Sequence, residues 1–206
     1  NIVKYIKMTT SSNFGNMLSM LGASILLPFL PMLPIQILSQ NMLYDISQTA
    51  IPWDNMDEDF IKSPKVWHTK GISRFMFFMG PVSSIFDYIT FALMYFLFSA
   101  CTPASQSLFQ TGWFVEGLLS QVLVIHIIRT GKIPFIQSRA AAPVIFMTLV
   151  IAAIGLIIPY TQVGAALKMT PLPIMYYPYL AGILLSYGIL TQVVKRYFIR
   201  KYGQWL

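Results

Sequence analysis

The 206 residues are 56% hydrophobic and only 10% charged, with a formal net charge of +7 and a single cysteine, Cys101. A soluble domain carries about 25% charged residues, so a chain this apolar cannot cover its own surface and takes lipid as its outer solvent. One cysteine excludes an internal disulfide framework and any multi-cysteine metal site.

The chain opens Asn1-Ile-Val-Lys-Tyr, with no small-residue cleavage site after its first apolar run. That argues against a signal peptide and for a piece of a longer chain. Apolar runs long enough for a bilayer core of about 30 Å predict six spans. They are Met8–Phe29, Met32–Ile51, Arg74–Ser99, Leu108–Arg129, Ala141–Pro159 and Met175–Val194. The first two are joined by Pro28-Phe-Leu-Pro-Met-Leu-Pro34, whose prolines remove backbone donors and force a tight reversal.

The charges then set the orientation. Lys4 and Lys7 precede the first span, and Lys62, Lys65, Lys70 and Arg74 lie in or border the loop after the second. Arg129, Lys132 and Arg139 bracket the loop after the fourth, and Lys195, Arg196, Arg200 and Lys201 fill the tail. Of the fourteen bases, only Lys168 falls on the opposite side. The positive-inside rule puts both termini in the cytoplasm, as an even number of spans also requires. The basic balance is therefore topological, and no nucleic-acid partner is implied. Trp53, Trp67, Trp113 and Trp205 fall in loops or near predicted interfaces, where aromatic anchors belong. The middle loop holds Asp54, Asp57, Glu58 and Asp59 and reads as a solvated connector. There is no internal repeat of the kind inverted-topology transporters retain.

The other three acids, Asp45, Asp87 and Glu116, lie inside predicted spans, with no lysine or arginine placed well inside one. A mid-bilayer carboxylate costs roughly 2.5–3.5 kcal/mol on insertion scales, so each must be neutral, face water or bind a cation. For Glu116, near the outer end of its helix, a neutral hydrogen-bonding role is the simpler reading. Asp45 has polar company. Asn41 is four residues away on the same face, and on the first helix Asn13 and Asn16 share a face beside Ser11, Ser12 and Gly15. Because the two helices form a hairpin, these oxygens are expected to converge near the midplane. Hard oxygen ligands suit Mg2+ or Ca2+; the bland alternative is amide hydrogen bonding between helices. Asp87 either completes the cation path or hydrogen-bonds across to the first helix. His126 reads as interfacial and the twelve methionines as packing.

These residues also carry a resemblance. Ser11-Ser-Asn-Phe-Gly-Asn16 resembles the fifth membrane helix of P-type cation ATPases, and Leu33-Pro-Ile-Gln-Ile-Leu-Ser-Gln-Asn-Met-Leu-Tyr-Asp45 their sixth. Gly80-Pro-Val-Ser-Ser-Ile-Phe-Asp87, Phe109-Gln-Thr-Gly-Trp-Phe-Val-Glu-Gly-Leu-Leu-Ser-Gln121 and Ile128-Arg-Thr-Gly-Lys-Ile-Pro-Phe-Ile-Gln-Ser-Arg139 are similar to the bacterial magnesium-importing P-type ATPases. The similarity runs through the Lys-Tyr-Gly-Gln-Trp tail.

The resemblance implies an all-α membrane protein, the last six of ten helices of a pump in the bacterial inner membrane. Residues 1–51 would be the ion-site hairpin, 52–73 a cytoplasmic loop, 74–194 a four-helix support bundle and 195–206 a basic cytoplasmic tail. It implies metal ligands at Asn13, Asn16, Asn41 and Asp45, with Asp87 as a further candidate, and Mg2+ as the transported ion. Asn16 stands where calcium pumps have Glu, and Tyr44 where they have Thr, which fits a single, less negatively framed divalent site. The implied partners are the bilayer and the first four helices and cytoplasmic domains of the same polypeptide. ATP would act only through those domains. The family's Asp-Lys-Thr-Gly-Thr phosphorylation motif is missing from these 206 residues, as is a phosphate loop, so the segment alone is expected to be inactive. The competing readings are a stand-alone channel or ion-coupled transporter with Asp45 and Asp87 as a cation or proton relay, and a purely supporting bundle.

Overall fold

A computed structural model describes residues 2–55, 57, 69–203 and 205. The remainder of the predicted acidic–basic loop, including Glu58, Asp59, Lys62, Lys65 and Trp67, lies outside the described residues. The described chain is helical: α1 Ile2–Leu26, α2 Pro34–Gln48, α3 Thr69–Ala92, α4 Gln106–Ile128, α5 Ala142–Ile157, the short α6 Gln162–Ala166, and α7 Tyr176–Tyr202. Two 3-10 turns, Ile51–Trp53 and Ile158–Tyr160, extend α2 and α5, and a π turn at Leu93–Leu97 closes α3.

The helix ends follow from local chemistry. α2 starts with Pro34 at its first turn, where a missing N–H costs nothing. Gln36 Oε1 reaches back to accept from the Leu33 N–H at 3.1 Å, and its Nε2 donates to Leu167 O at 3.0 Å. α7 stops at Gly203, whose φ of 71° lies in the left-handed region that glycine enters without a Cβ penalty.

Four segments among the described residues are long and apolar enough to cross a membrane by themselves: Gly71–Leu97, Gln106–Ile128, Ala142–Tyr160 and Tyr176–Tyr202. The two helices of the predicted hairpin differ from them. α2 has 15 residues, only about 22 Å of helix, and α1 spends its middle on Ser11, Ser12, Asn13, Asn16 and Ser19.

α4 is the axis of the bundle. Almost every side chain from Phe109 to Ile128 is buried, so its apolar residues face helices all round rather than one seam. α2, α3, α5 and α7 all pack on it, while α1 lies chiefly along α3. Around the first half of α4, Phe91 is wedged between Phe109 and Trp113, with ring centroids 5.4 and 4.8 Å apart. Around its second half, Met8 of α1 joins Phe75, Ile125, Ile128, Phe198 and Trp205 in a second apolar cluster.

The α1–α3 crossing depends on glycine. A Cβ placed on Gly15 would come within 2.9 Å of Gly80 O, so only a bare backbone lets the helices meet this closely. Pro81 follows Gly80 inside α3, and Ser84 Oγ donates across the crossing to Gly15 O at 2.9 Å.

Candidate functional site

α1 and α2 are not among the helix pairs that pack extensively, because α1 is drawn to α3 and α2 to α4 and α5. A cleft of about 740 Å³ opens between them, lined by Asn13, Asn16, Gln40 and Asn41 together with apolar residues and Trp113. Asp45 lies one turn beyond Asn41 and lines an adjoining cleft of about 890 Å³, which Asn41 also borders. Asn13, Asn16 and Asn41 thus border one cleft and Asp45 the adjoining one. Asn13 and Asp45 are exposed on this open side, and Asn16 and Asn41 are half-buried. Carbonyl and carboxylate oxygens are the donors here; among the described residues no group of three or more His, Cys, Asp and Glu is assembled.

Asp87 sits apart from Asp45. It is 3% exposed and both of its oxygens accept hydrogen bonds, Oδ2 from Ser19 Oγ at 2.5 Å and Oδ1 from Trp113 Nε1 at 2.8 Å. Of its two expected roles, the structure shows the hydrogen bond across to the first helix. Glu116 faces it from α4, so two buried carboxyl groups meet where α1, α3 and α4 come together. Asp87 and Asn16 also border a small enclosed void of about 20 Å³ with Ser11, Ser12, Ser120 and Gln121. Trp113 is correspondingly not an interfacial anchor. It is 3% exposed, because its N–H, a donor that must be satisfied once buried, is matched to Asp87.

At the N-terminal end of α1 the connector reading fails for Asp54 and Asp57. Asp54 is buried and accepts from Lys4 Nζ at 3.5 Å, Arg129 Nε at 3.2 Å and the Ala141 N–H at 3.1 Å. Asp57 accepts from Thr130 Oγ1 at 2.6 Å and the Gly131 N–H at 3.1 Å. The loop after α4 offers these donors because its basic and backbone N–H groups turn inward. Lys195 of α7 completes the cap on α4, donating to the carbonyls of Ile127, Thr130 and Lys132 at 2.9, 3.1 and 2.8 Å. Trp205 Nε1 donates to Ile128 O at 2.8 Å. Carbonyls at a helix end have no partner within the helix, and here the tail supplies them.

Residues 29–197 match the family described as cation transporting ATPase, C-terminus. The chain belongs to that family. It is 55% identical over 205 residues, 100% of its own length, to "Magnesium-transporting ATPase, P-type 1" of Salmonella typhimurium strain LT2. To the protein of the same name from Escherichia coli strain K12 it is 53% identical over 203 residues, 98% of this chain. Each match takes in 23% of the relative, so the chain spans about a quarter of the length of the curated relatives it matches. Within this C-terminal region of a cation-transporting ATPase, the asparagine cleft and the Asp87 network adjoin: Asn16 borders both the cleft and the void beside Asp87, and Trp113 lines the cleft while donating to Asp87. Neither Trp113 nor Asp54 was picked out from sequence as a network member. The available signal was that a buried indole N–H and a buried ion each demand a partner.

Proposed function

We propose that the segment is the membrane ion-pathway portion of an ATP-driven Mg2+ importer in the bacterial inner membrane, with Asn13, Asn16, Asn41 and Asp45 contributing the ion site. The observation that carries the reading is the shared cleft. Four amide side chains from α1 and α2, Asn13, Asn16, Gln40 and Asn41, line one cavity, and the carboxylate of Asp45 is a turn away from Asn41. Mg2+ dehydrates reluctantly, keeps several waters and takes one or two carboxylates, which suits an amide-rich site with one aspartate and an open side. The names of the relatives point to the same cargo.

Six spans with both termini cytoplasmic go with this reading. Six helices of 15 or more residues occur among the described residues, and the bases, Lys168 excepted, would fall on one side of such a bundle. α1 and α2 are poorer in apolar length because they carry the ligands, and the preceding helices of the same polypeptide would cover their exposed side. ATP hydrolysis and phosphorylation belong to parts of the pump outside these residues, so the segment by itself transports nothing uphill. Asp87 is held to α1 and α4 through Ser19 and Trp113, and as the further candidate ligand it keeps acceptor capacity toward the void it shares with Asn16.

The test is Asp45→Asn in the full-length pump. Loss of Mg2+ uptake and of Mg2+-stimulated ATP hydrolysis, with normal amounts of folded protein, is the expected outcome. Normal uptake by a correctly folded Asp45→Asn protein would sink the ligand assignment.

A further inference from the structure

We infer that Asp54 is a positioning residue for the ion site, a pin that fixes the spacing of α1 and α2 through Lys4; this rests on the site reading proposed above. The two ligand-bearing helices are not packed extensively along each other, so the few point contacts between them weigh heavily in their separation. The geometry places that control at one end. Asp54 follows α2 by way of the 3-10 turn Ile51–Trp53, nine residues after Asp45. Lys4 lies on α1 nine residues before Asn13. Their side chains are 1% and 2% exposed and meet at 3.5 Å. Nearby, Thr9 Oγ1 of α1 donates to Gln48 Oε1 of α2 at 3.0 Å, a second tie at the same end.

The pin is itself anchored. Arg129 Nε stands 3.0 Å from Asp54 Oδ2, and its guanidinium continues to Ser138 Oγ at 3.0 Å and Arg139 O at 2.6 Å. The Ala141 N–H, just ahead of α5, holds Asp54 Oδ1 at 3.1 Å. One carboxylate therefore joins the start of α1, the exit of α2, the end of α4 and the start of α5. Two buried cations share it, so neutralising it leaves Lys4 and Arg129 desolvated and mutually repelling. The long, unbranched lysine is the partner free to swing out, and α1 goes with it. Asn13 is about 14 Å along the axis from Lys4, and a pivot of about 4° at Lys4 moves it by about 1 Å. Misplacement on that scale is large for a site that must match near-ideal octahedral Mg2+.

The experiment uses the full-length pump in cells without another Mg2+ uptake route, reading the Mg2+ concentration for half-maximal uptake separately from maximal uptake per folded molecule. Asp54→Asn keeps the shape and the Ala141 hydrogen bond and removes the charge. It is expected to raise the half-maximal concentration at least about fivefold, the lower end of coupling between linked sites, with a smaller loss in maximal uptake. Lys4→Gln should shift it in the same direction but less, because Arg129 still balances Asp54. The double variant should be no worse than Asp54→Asn, since the two residues act through one contact. A fall in maximal uptake with an unchanged half-maximal concentration in both single variants means a merely structural role and overturns the proposal. If Asp54→Asn does not accumulate, Lys4→Gln decides alone by the same criterion. Asp45→Asn measured in parallel separates the two ideas. If it transports normally, the site reading has failed; if it is dead while Asp54→Asn and Lys4→Gln keep the parent's half-maximal concentration, only the pin has failed.

Discussion

Asp87 offers a test of hydrogen-bond logic in which two substitutions at one position should part company. The carboxylate accepts from Trp113 Nε1 and from Ser19 Oγ, and Ser19 Oγ also lies 3.0 Å from Gly15 O. An indole N–H can only donate, whereas a hydroxyl can donate and accept. In Asp87→Asn the amide oxygen can therefore stay on Trp113 while the NH2 turns to Ser19. Ser19 then accepts from it and sends its own proton to Gly15 O, and the second amide hydrogen points toward Glu116. Every buried donor remains paired, and the expected cost is below about 1 kcal/mol. Asp87→Ala has no such exchange. Ser19 can still retreat to Gly15 O, but the Trp113 N–H is stranded in the core, at about 1–3 kcal/mol, with a small cavity beside it. Asp87→Ala should therefore melt measurably below the parent and Asp87→Asn close to it, the shift per kcal/mol being smaller the longer the chain. Thermal unfolding of the detergent-solubilised full-length protein, followed by tryptophan fluorescence, reads the difference. Equal losses for the two variants would refute the account, because they would mean that the negative charge, and not the acceptor count, holds α1, α3 and α4 together at this point.

Two further expectations concern packing. Gly15→Val should force α1 off α3, since even the first added carbon meets Gly80 O at 2.9 Å; about 1–3 kcal/mol of overpacking should appear as a lower melting temperature, and an unchanged one would mean the crossing is looser than described. Leu118→Ala, at a fully buried position on α4, should cost about 2–5 kcal/mol. Leu149→Ala, on α5 and 64% exposed, should cost less than about 0.5 kcal/mol, so similar melting shifts for the two would contradict the placement of α4 as the axis.

The presence of the long apolar helices was legible because an apolar run of bilayer length is a one-dimensional signal, but several ends were not: Met8–Phe29 is observed as Ile2–Leu26 and Met175–Val194 as Tyr176–Tyr202. The predicted Leu108–Arg129 and the observed Gln106–Ile128 differ by two residues or fewer at each end. What the run does not encode is which helix is central. α4 and α5 both pass as apolar runs long enough to span, yet α4, which carries Gln110, Glu116 and Gln121, is buried, and the more apolar α5 is largely exposed. Leucine suits a lipid neighbour as well as a protein one, so hydropathy loses in a membrane the inside–outside contrast it has in water.

The polar residues carry the missing information, but only once their partners are known. Asn13, Asn16 and Asn41 could be grouped from spacing, since i, i+3 and i, i+4 neighbours share a face and a proline-rich turn sets two helices side by side. Asp54 could not be. Its three partners come from positions 4, 129 and 141, and in the sequence it is one of several acids in a short hydrophilic stretch. Lipid explains why such a residue is nonetheless decisive. Apolar contact with a neighbouring helix is little better than contact with acyl chains, so the arrangement of this bundle rests on close glycine crossings and on buried polar pairs. Gly15 on Gly80 and Ser19 on Asp87 fix α1 to the body at mid-length, and Lys4 on Asp54 fixes it to α2 at its end. The open cleft between those fixed points is lined by the asparagines proposed as ion ligands, on the two helices that have the least reason to stay together without them.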